Sequence, residues 1–511
     1  MSLAHSPPPA SERGLSLAST PPSAAVPGAF ARSLNASTLS APLVAALLLV
    51  VGAYFTALNA DLPIVRNALL NAQIAERLWA HGMRLWEVCS DPALVFNKPC
   101  GFGTLAAPWV ASLGLNLGVI WTSFLGGVLL LASSWHFLRH FNARFGLTSQ
   151  ALPLELSLCF LNPLLADQFW SGYSDAFFSA GFLFSFVVLD RLVRERVALG
   201  WALALFGAFV FSSLMKHGTV VLIPLECVYL AWHMPELHEL WRARRAQVLA
   251  IAAALLASAL FLLLGRLGHN PLLNLVSNKN QLSGEVNYAM NVKEVFVFLF
   301  ITLGSGVCLL PLVRVRRRDI ALLSVAAMNA ALLASYKGSA YNARYYIALL
   351  PFLAPYLARA YLRIAARRVR GAWLASFLVL NSAAIVLFNQ RSLYRSMTGS
   401  LPGFNFGATG YLDSLRMGDH LEALDSIGSV NRELPARGKL FYVSSYYGQG
   451  GVGVFERAGF FRPDLRIAYV ADTPAARALA TPGEYAFYPP PFAPEPDAHM
   501  TRLDDRLYIM R

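Results

Sequence analysis

The stretch LSAPLVAALLLVVGAYFTALNAD, residues 39–61, carries no charged side chain from Leu39 to Ala60 and then ends on Asp61. Such a run matches the roughly 20 apolar residues that an α-helix needs to cross the hydrocarbon core of a bilayer. It follows a long head and has no convincing small-residue cleavage site after it. The stretch therefore predicts a retained first span rather than a cleaved signal peptide.

Outward from this stretch the pattern recurs. Of 511 residues, 56% are hydrophobic and only 14% charged, with a mean hydropathy of +0.48, whereas a soluble domain carries roughly 25% charged residues. Apolar runs at about 39–58, 115–137, 149–166, 174–190, 198–214, 218–233, 248–266, 294–312, 319–335, 345–361 and 371–388 give about eleven spans. The expected fold class is an α-helical polytopic membrane protein with a small C-terminal α/β domain. A soluble enzyme is excluded.

Lys and Arg number 42 against 29 Asp and Glu, a net charge of +13. In a soluble chain that balance would raise nucleic acid as a partner, but here the arginines cluster in short loops between apolar runs. The clusters are Arg191, Arg194 and Arg196; Arg242, Arg244 and Arg245; Arg314, Arg316, Arg317 and Arg318; and Arg363, Arg367, Arg368 and Arg370. This is the positive-inside pattern of loops that face the cytoplasm and anionic lipid. The expected partner is thus the lipid membrane and not nucleic acid, with a cytoplasmic N-terminus and, after an odd number of spans, an external C-terminal tail.

Three regions follow. Residues 1–38 are rich in Ala, Ser and Pro and are expected to be a disordered cytoplasmic head. Residues 39–390 hold the spans. From 391 to 511 the composition becomes that of a soluble domain, with β-like runs at 439–444, 466–470 and 507–510 between helix-compatible segments near 411–424 and 473–479. In the long loop 59–116 the spacing of Ile64, Ala68, Leu69, Ala72, Ile74, Leu78 and Trp79 predicts an amphipathic helix on the outer membrane surface. A second external loop, 267–292, holds Asn270, Asn274, Asn278, Lys279 and Asn280, which suit either a polar cavity rim or a solvated connector.

Ionisable side chains beside spans are costly and so are functional candidates. On the external side these are Asp61, Lys98, Asp175, Lys216, Lys337 and Arg344. Asp61 and Asp175 each precede a helical pattern, so each is a helix cap or a working carboxylate. As a working pair they would supply a general base and a ligand for a divalent metal ion. Lys216 interrupts apolar sequence and needs a partner, a wet cavity or a bound anion. Lys337 and Arg344 serve either as lipid-headgroup anchors or as cations for a phosphate leaving group. Of the five cysteines, Cys159, Cys227 and Cys308 lie in apolar runs. Cys89 and Cys100 share one external loop, where a bridge between them is an open possibility.

Several chemistries are missing from the sequence. The histidines show no zinc-ligand spacing, and there is no phosphate-binding Gly-rich loop ending in Lys and Ser/Thr. There is also no Asp-x-Asp of the kind that holds metal and nucleotide sugar in soluble glycosyltransferases.

In order and topology, Asp61 after the first span, the helical segment Leu62 to Gly82, Asn97-Lys98-Pro99, Tyr173-Ser174-Asp175, Lys216-His217-Gly218 with Pro224, and Arg344-Tyr345-Tyr346 with Pro351 resemble the GT-C superfamily. That superfamily comprises membrane glycosyltransferases that use polyprenyl-phosphate sugars, and the likeness is to its lipid A aminoarabinose and protein mannosyltransferase branch. The resemblance implies that Asp61 is the base on the acceptor hydroxyl and that Asp175 binds metal or substrate. It implies also that Lys98, Lys216 and Arg344 hold the lipid phosphate. Two positions depart from the pattern, with Leu62 and Asn97 where many relatives have acidic residues. The implied reaction is inverting transfer from an undecaprenyl-phosphate-linked sugar to an envelope acceptor at the bacterial inner membrane. The reading from a different class is a transporter or lipid flippase with Asp61, Asp175 and Lys216 along a permeation path.

Overall fold

The computed structural model describes residues 40–65, 67–89, 99–147, 149–195, 197–266, 296, 299–300, 302–316, 319–334, 343–400, 417–443, 454–470, 472–488, 499–503 and 507–511. The head, Lys98, Lys337 and the 267–292 loop lie outside the described residues.

Among the described residues, five helices are long and apolar enough to cross a membrane: Ala41–Leu58, Leu115–Phe145, Asp175–Arg194, Arg245–Arg266 and Arg367–Asn389. Shorter apolar helices, Gly200–Met215, Ile320–Ala334 and Leu349–Leu362, accompany them. Another apolar segment, Thr219–Trp232, bends by 79° into Met234–Ala243. Local chemistry sets several of these boundaries. A proline in the first turn opens Ala41–Leu58, while Gly146, at φ 64°, ends the 31-residue helix Leu115–Phe145 in the left-handed conformation.

The run expected to span at 149–166 is broken. It forms Leu152–Phe160 and Pro163–Gln168, joined through Asn162 in an extended conformation at φ −152°, ψ 154°. Pro163 disfavours a helical residue before it. The Asn162 side chain then caps the second helix by accepting from the Leu165 amide at 2.9 Å. At 1.5 Å per residue the first piece rises only about 14 Å, short of a bilayer core.

Asp175–Arg194 is the most enclosed of the long helices, packed between Leu115–Phe145 and Gly200–Met215. Its Phe182 and Phe186 meet Phe352 with ring centroids 5.8 and 5.4 Å apart, and Phe137 meets the same ring at 4.8 Å. At the arginine-rich end of this helix, Asp190 is fully buried and takes His140 at 2.7 Å, Arg194 at 3.3 Å, Arg144 and the Tyr229 hydroxyl. Nearby, Arg359 reaches Asp319 at 2.5 Å and the Phe145 carbonyl at 2.8 Å. Arg194, of the first arginine cluster, thus joins Arg144 in an ion network that ties helices together at Asp190.

The segment read as a surface helix is a helix over Asn67–Ala80 that is enclosed by protein along most of its length and exposed at Trp79 and Ala80. Every residue from Ala68 to Ala75 is buried, including Asn71 and Gln73 on the expected polar face. Gly101–Leu113 covers one side and Leu115–Phe145 another. The C-terminal region also reaches it, through Arg457 to Glu76 at 2.7 Å. Polar residues on the far side thus face protein rather than water, which the helical spacing alone did not indicate.

The C-terminal region forms one five-stranded mixed sheet in the order β2-β1-β3-β5-β4. Its strands are β1 Lys439–Val443, β2 Arg466–Val470, β3 Tyr485–Phe487, β4 Met500–Arg502 and β5 Leu507–Met510. β1 runs parallel to β2 and β3, whereas β5 is antiparallel to β3 and β4. The alternation of β1 divides its side chains as a pleated strand must. Phe441 and Val443 enter a small core of their own, and Leu440 and Tyr442 join the large core shared with the helices.

Candidate functional site

The site is built around the first turn of Asp175–Arg194. Gly172 precedes it at φ 80°, a conformation that only glycine adopts freely, and a Cβ there would run into Ala68 and Val119. The Gly172 amide donates to Ser123 Oγ at 3.2 Å and its carbonyl accepts from Asn71 Nδ2 at 3.2 Å. These bonds fix the turn that presents Tyr173, Ser174 and Asp175. Ser174 is the cap and Asp175 the first helical residue, so the helix dipole favours its negative charge.

Two cations meet the buried Asp175 carboxylate. Lys216 Nζ donates to Oδ1, and Arg344 Nε lies 3.3 Å from Oδ2. Lys216 occupies an extended position at φ −155°, where Gly200–Met215 stops and a 3₁₀ turn begins, and that break turns it inward. Arg344 comes from the 3₁₀ turn Ala343–Tyr346, and its guanidinium lies 4.1 Å from the Tyr173 ring centroid, a cation–π contact. Its side chain is 4% exposed, enclosed by protein in this structure. The three side chains together carry one positive charge.

Asp61 lies in a separate arrangement. It occupies the turn after Ala41–Leu58, while the next helix starts at Asn67, so it does not cap that helix. Arg391, the first residue of Arg391–Ser400, grips its carboxylate through both terminal nitrogens, NH1 reaching Oδ2 at 2.9 Å and NH2 reaching Oδ1. These hydrogen bonds, outweighing partial burial, hold the Asp61 carboxyl below its ordinary 3.8.

The backbone of this turn is secured independently. Asn116 donates to the Ala60 and Leu62 carbonyls at 3.1 and 2.8 Å and accepts from the Ile64 amide at 2.9 Å. Asn59 donates to the Asn389 carbonyl at 3.1 Å. His420 Nδ1 donates to the Pro63 carbonyl at 2.6 Å, and its ring packs on Trp170 at 4.9 Å.

The structure thus joins Asp175, Lys216 and Arg344, and gives Asp61 a partner that the sequence reading missed. Lys98 falls outside the described residues, but the loop containing it is closed by a disulfide between Cys89 and Cys100. Among the described residues no three His, Cys, Asp or Glu side chains gather as metal ligands. In this structure the Asp61 carboxylate is engaged by Arg391 and the Asp175 carboxylate by Lys216 and Arg344. In the C-terminal region Tyr442 and Phe455 are buried, with Tyr469 packed against Tyr442 at 5.7 Å, so these rings form core. Arg391, Asn116 and His420 had one usable signal: Arg391 opens the amphipathic sequence RSLYRSM directly after the last apolar run.

No protein-family model and no curated protein matches the sequence. Five chains of solved structures match the fold, among them two of one protein. The crystal structure of ArnT from Cupriavidus metallidurans bound to undecaprenyl phosphate aligns over 92% of this chain and 97% of that one, with TM-score 0.54 and 15% identity. The same protein in the apo state aligns over the same shares, with TM-score 0.56 and 16% identity. With its helical membrane region and C-terminal sheet, the chain has the fold of these ArnT structures.

Proposed function

We propose that the chain is a membrane glycosyltransferase that moves a sugar from an undecaprenyl-phosphate carrier to an envelope acceptor, with inversion at the anomeric carbon. The observation that carries this reading is the convergence of Lys216 and Arg344 on the buried Asp175 carboxylate. A sugar phosphodiester brings one negative charge, and the departing lipid phosphate gains a second. Fixed cations stabilise that growing charge more than they stabilise the bound donor, which is the condition for catalysis. Asp175 holds both cations in place before the donor arrives. The bound undecaprenyl phosphate in the ArnT crystal structure supports a carrier of this kind.

Asp61 is the base in this reading. The acceptor hydroxyl oxygen attacks the anomeric carbon and its proton passes to the Asp61 carboxylate. The bond from the anomeric carbon to the phosphate oxygen breaks, and its electrons leave with undecaprenyl phosphate. By resemblance, Lys98 joins the phosphate contacts. The catalytic region is 39–390 in the bacterial inner membrane, with 1–38 cytoplasmic and 391–511 periplasmic, a side on which lipid-linked rather than nucleotide-linked sugars are available.

The test is mass spectrometry of envelope glycans and glycolipids from a deletion strain complemented with the native chain or with Asp61→Asn, at matched protein levels. One sugar substituent missing from both the deletion and the Asp61→Asn strain is the expected result. A normal profile with Asp61→Asn overturns the assignment and favours transport.

A further inference from the structure

We propose that Arg391 is a positioning residue for Asp61, supplied to the reaction by the segment that follows the last long span. This rests on the reading of Asp61 as the base.

The geometry separates Arg391 from the rest of the turn. Its guanidinium fork takes both oxygens of Asp61, fixing the carboxylate plane as a single ammonium cannot. NH2 also donates to the Leu58 carbonyl at 2.5 Å, anchoring the fork to the end of the first span. The Arg391 side chain is 26% exposed and that of Asp61 74%. The cation is therefore tucked behind a carboxylate that faces outward. A carboxylate offers about four lone-pair sites, and the fork occupies two, so the others remain to receive an acceptor hydroxyl.

Besides the Arg391 bonds to the Leu58 carbonyl and Asn59 Oδ1, the turn has its own supports. Asn116, Asn389 and His420 provide five hydrogen bonds to residues 59–64 without touching the carboxylate. An exposed ion pair contributes little to stability, so removal of Arg391 leaves a folded turn with a free carboxylate. What Arg391 controls is the aim of that carboxylate and the pH at which it ionises.

The experiment uses membranes of the deletion strain carrying the full-length native chain, Arg391→Gln, Arg391→Lys or Asp61→Asn. The glycolipid lacking in the deletion strain is quantified by mass spectrometry over the acidic-to-neutral range and normalised to protein level. Arg391→Gln is expected to lower transfer by roughly tenfold to a hundredfold, the effect of a misaimed catalytic group. Its acidic limb is expected to move up in pH, because the carboxyl loses the guanidinium that held it down. Arg391→Lys restores the position of the limb and part of the rate, and Asp61→Asn is inactive. Native rate and limb with Arg391→Gln, beside an inactive Asp61→Asn, overturn the positioning role alone. Faster transfer by Arg391→Gln, or a loss with an unmoved limb that Lys does not relieve, overturns it as well. Active Asp61→Asn overturns instead the reading on which the proposal rests.

Discussion

The guanidinium of Arg344 is stacked 4.1 Å from the centroid of the Tyr173 ring, at the turn that opens the most enclosed helix of the bundle. Tyr173 supplies a flat surface and Asp175 the counter-charge, so Arg344 is held in position as well as neutralised. Asp175→Asn removes the charge that Lys216 and Arg344 share. Losing one partner of a buried pair costs about 3–5 kcal/mol. Thermal melting of the detergent-purified variant is expected to shift down accordingly, and transfer is expected to be lost. Arg344→Lys keeps the charge but loses the stacking and the fork, and is expected to fold and to transfer poorly.

Asp190 gives the contrasting case. It is fully buried and collects His140, Arg144, Arg194 and Tyr229, yet it lies at the opposite end of the helix that begins with Asp175. Asp190→Asn is expected to cost a similar 3–5 kcal/mol in melting experiments. Per folded molecule, the glycolipid product and its rate should be unchanged. A loss of rate without a loss of stability would place Asp190 in the reaction.

The Asp61–Arg391 pair predicts the reverse combination. With Asp61 mostly exposed, breaking the pair changes stability by no more than about 1 kcal/mol. The sign with pH follows from linkage. The folded carboxyl titrates below its ordinary 3.8, so the contribution is present above that value and fades as pH falls through the lower, folded one. Melting curves of the native chain and Arg391→Gln should therefore lie close together at neutral pH and merge in acid.

The bridge between Cys89 and Cys100 closes a short loop, eleven residues apart in sequence, and Lys98 is inside it. Cross-links of this size stabilise by about 2–3 kcal/mol through restriction of the unfolded chain. Cys89→Ser is expected to melt lower by that amount. Transfer should fall further than the stability loss explains if Lys98 holds the lipid phosphate. Alkylation after reduction, followed by intact-mass measurement, checks the bridge directly.

Long uncharged runs made the membrane region legible, because nothing but hydropathy is needed to read Ala41–Leu58 or Arg367–Asn389. The C-terminal strands at Lys439, Arg466 and Leu507 were legible from short β-rich runs between turns. β3 and β4, at three residues each, carried too little pattern. The break at Asn162-Pro163 was present in the letters but hidden by the apolar residues around it. Asp175, Lys216 and Arg344 were found because a charge beside a span is costly. Arg391 was passed over because, in polar sequence, an arginine needs no explanation. Its partner lies 330 residues away, and no local period records such a pairing.

The burial of Asn67–Ala80 bears on the order of synthesis. This helix is made early, but two contacts on it and on the turn before it arrive very late: Arg457, paired with Glu76, and His420, bonded 357 residues back to Pro63. Contacts of such sequence separation form last. A nascent chain therefore holds a first loop that lacks these contacts until the final quarter leaves the ribosome. Chains that stop short of Met417 lack both contacts, and the helix is then held by the early-made Gly101–Leu113 and Leu115–Phe145.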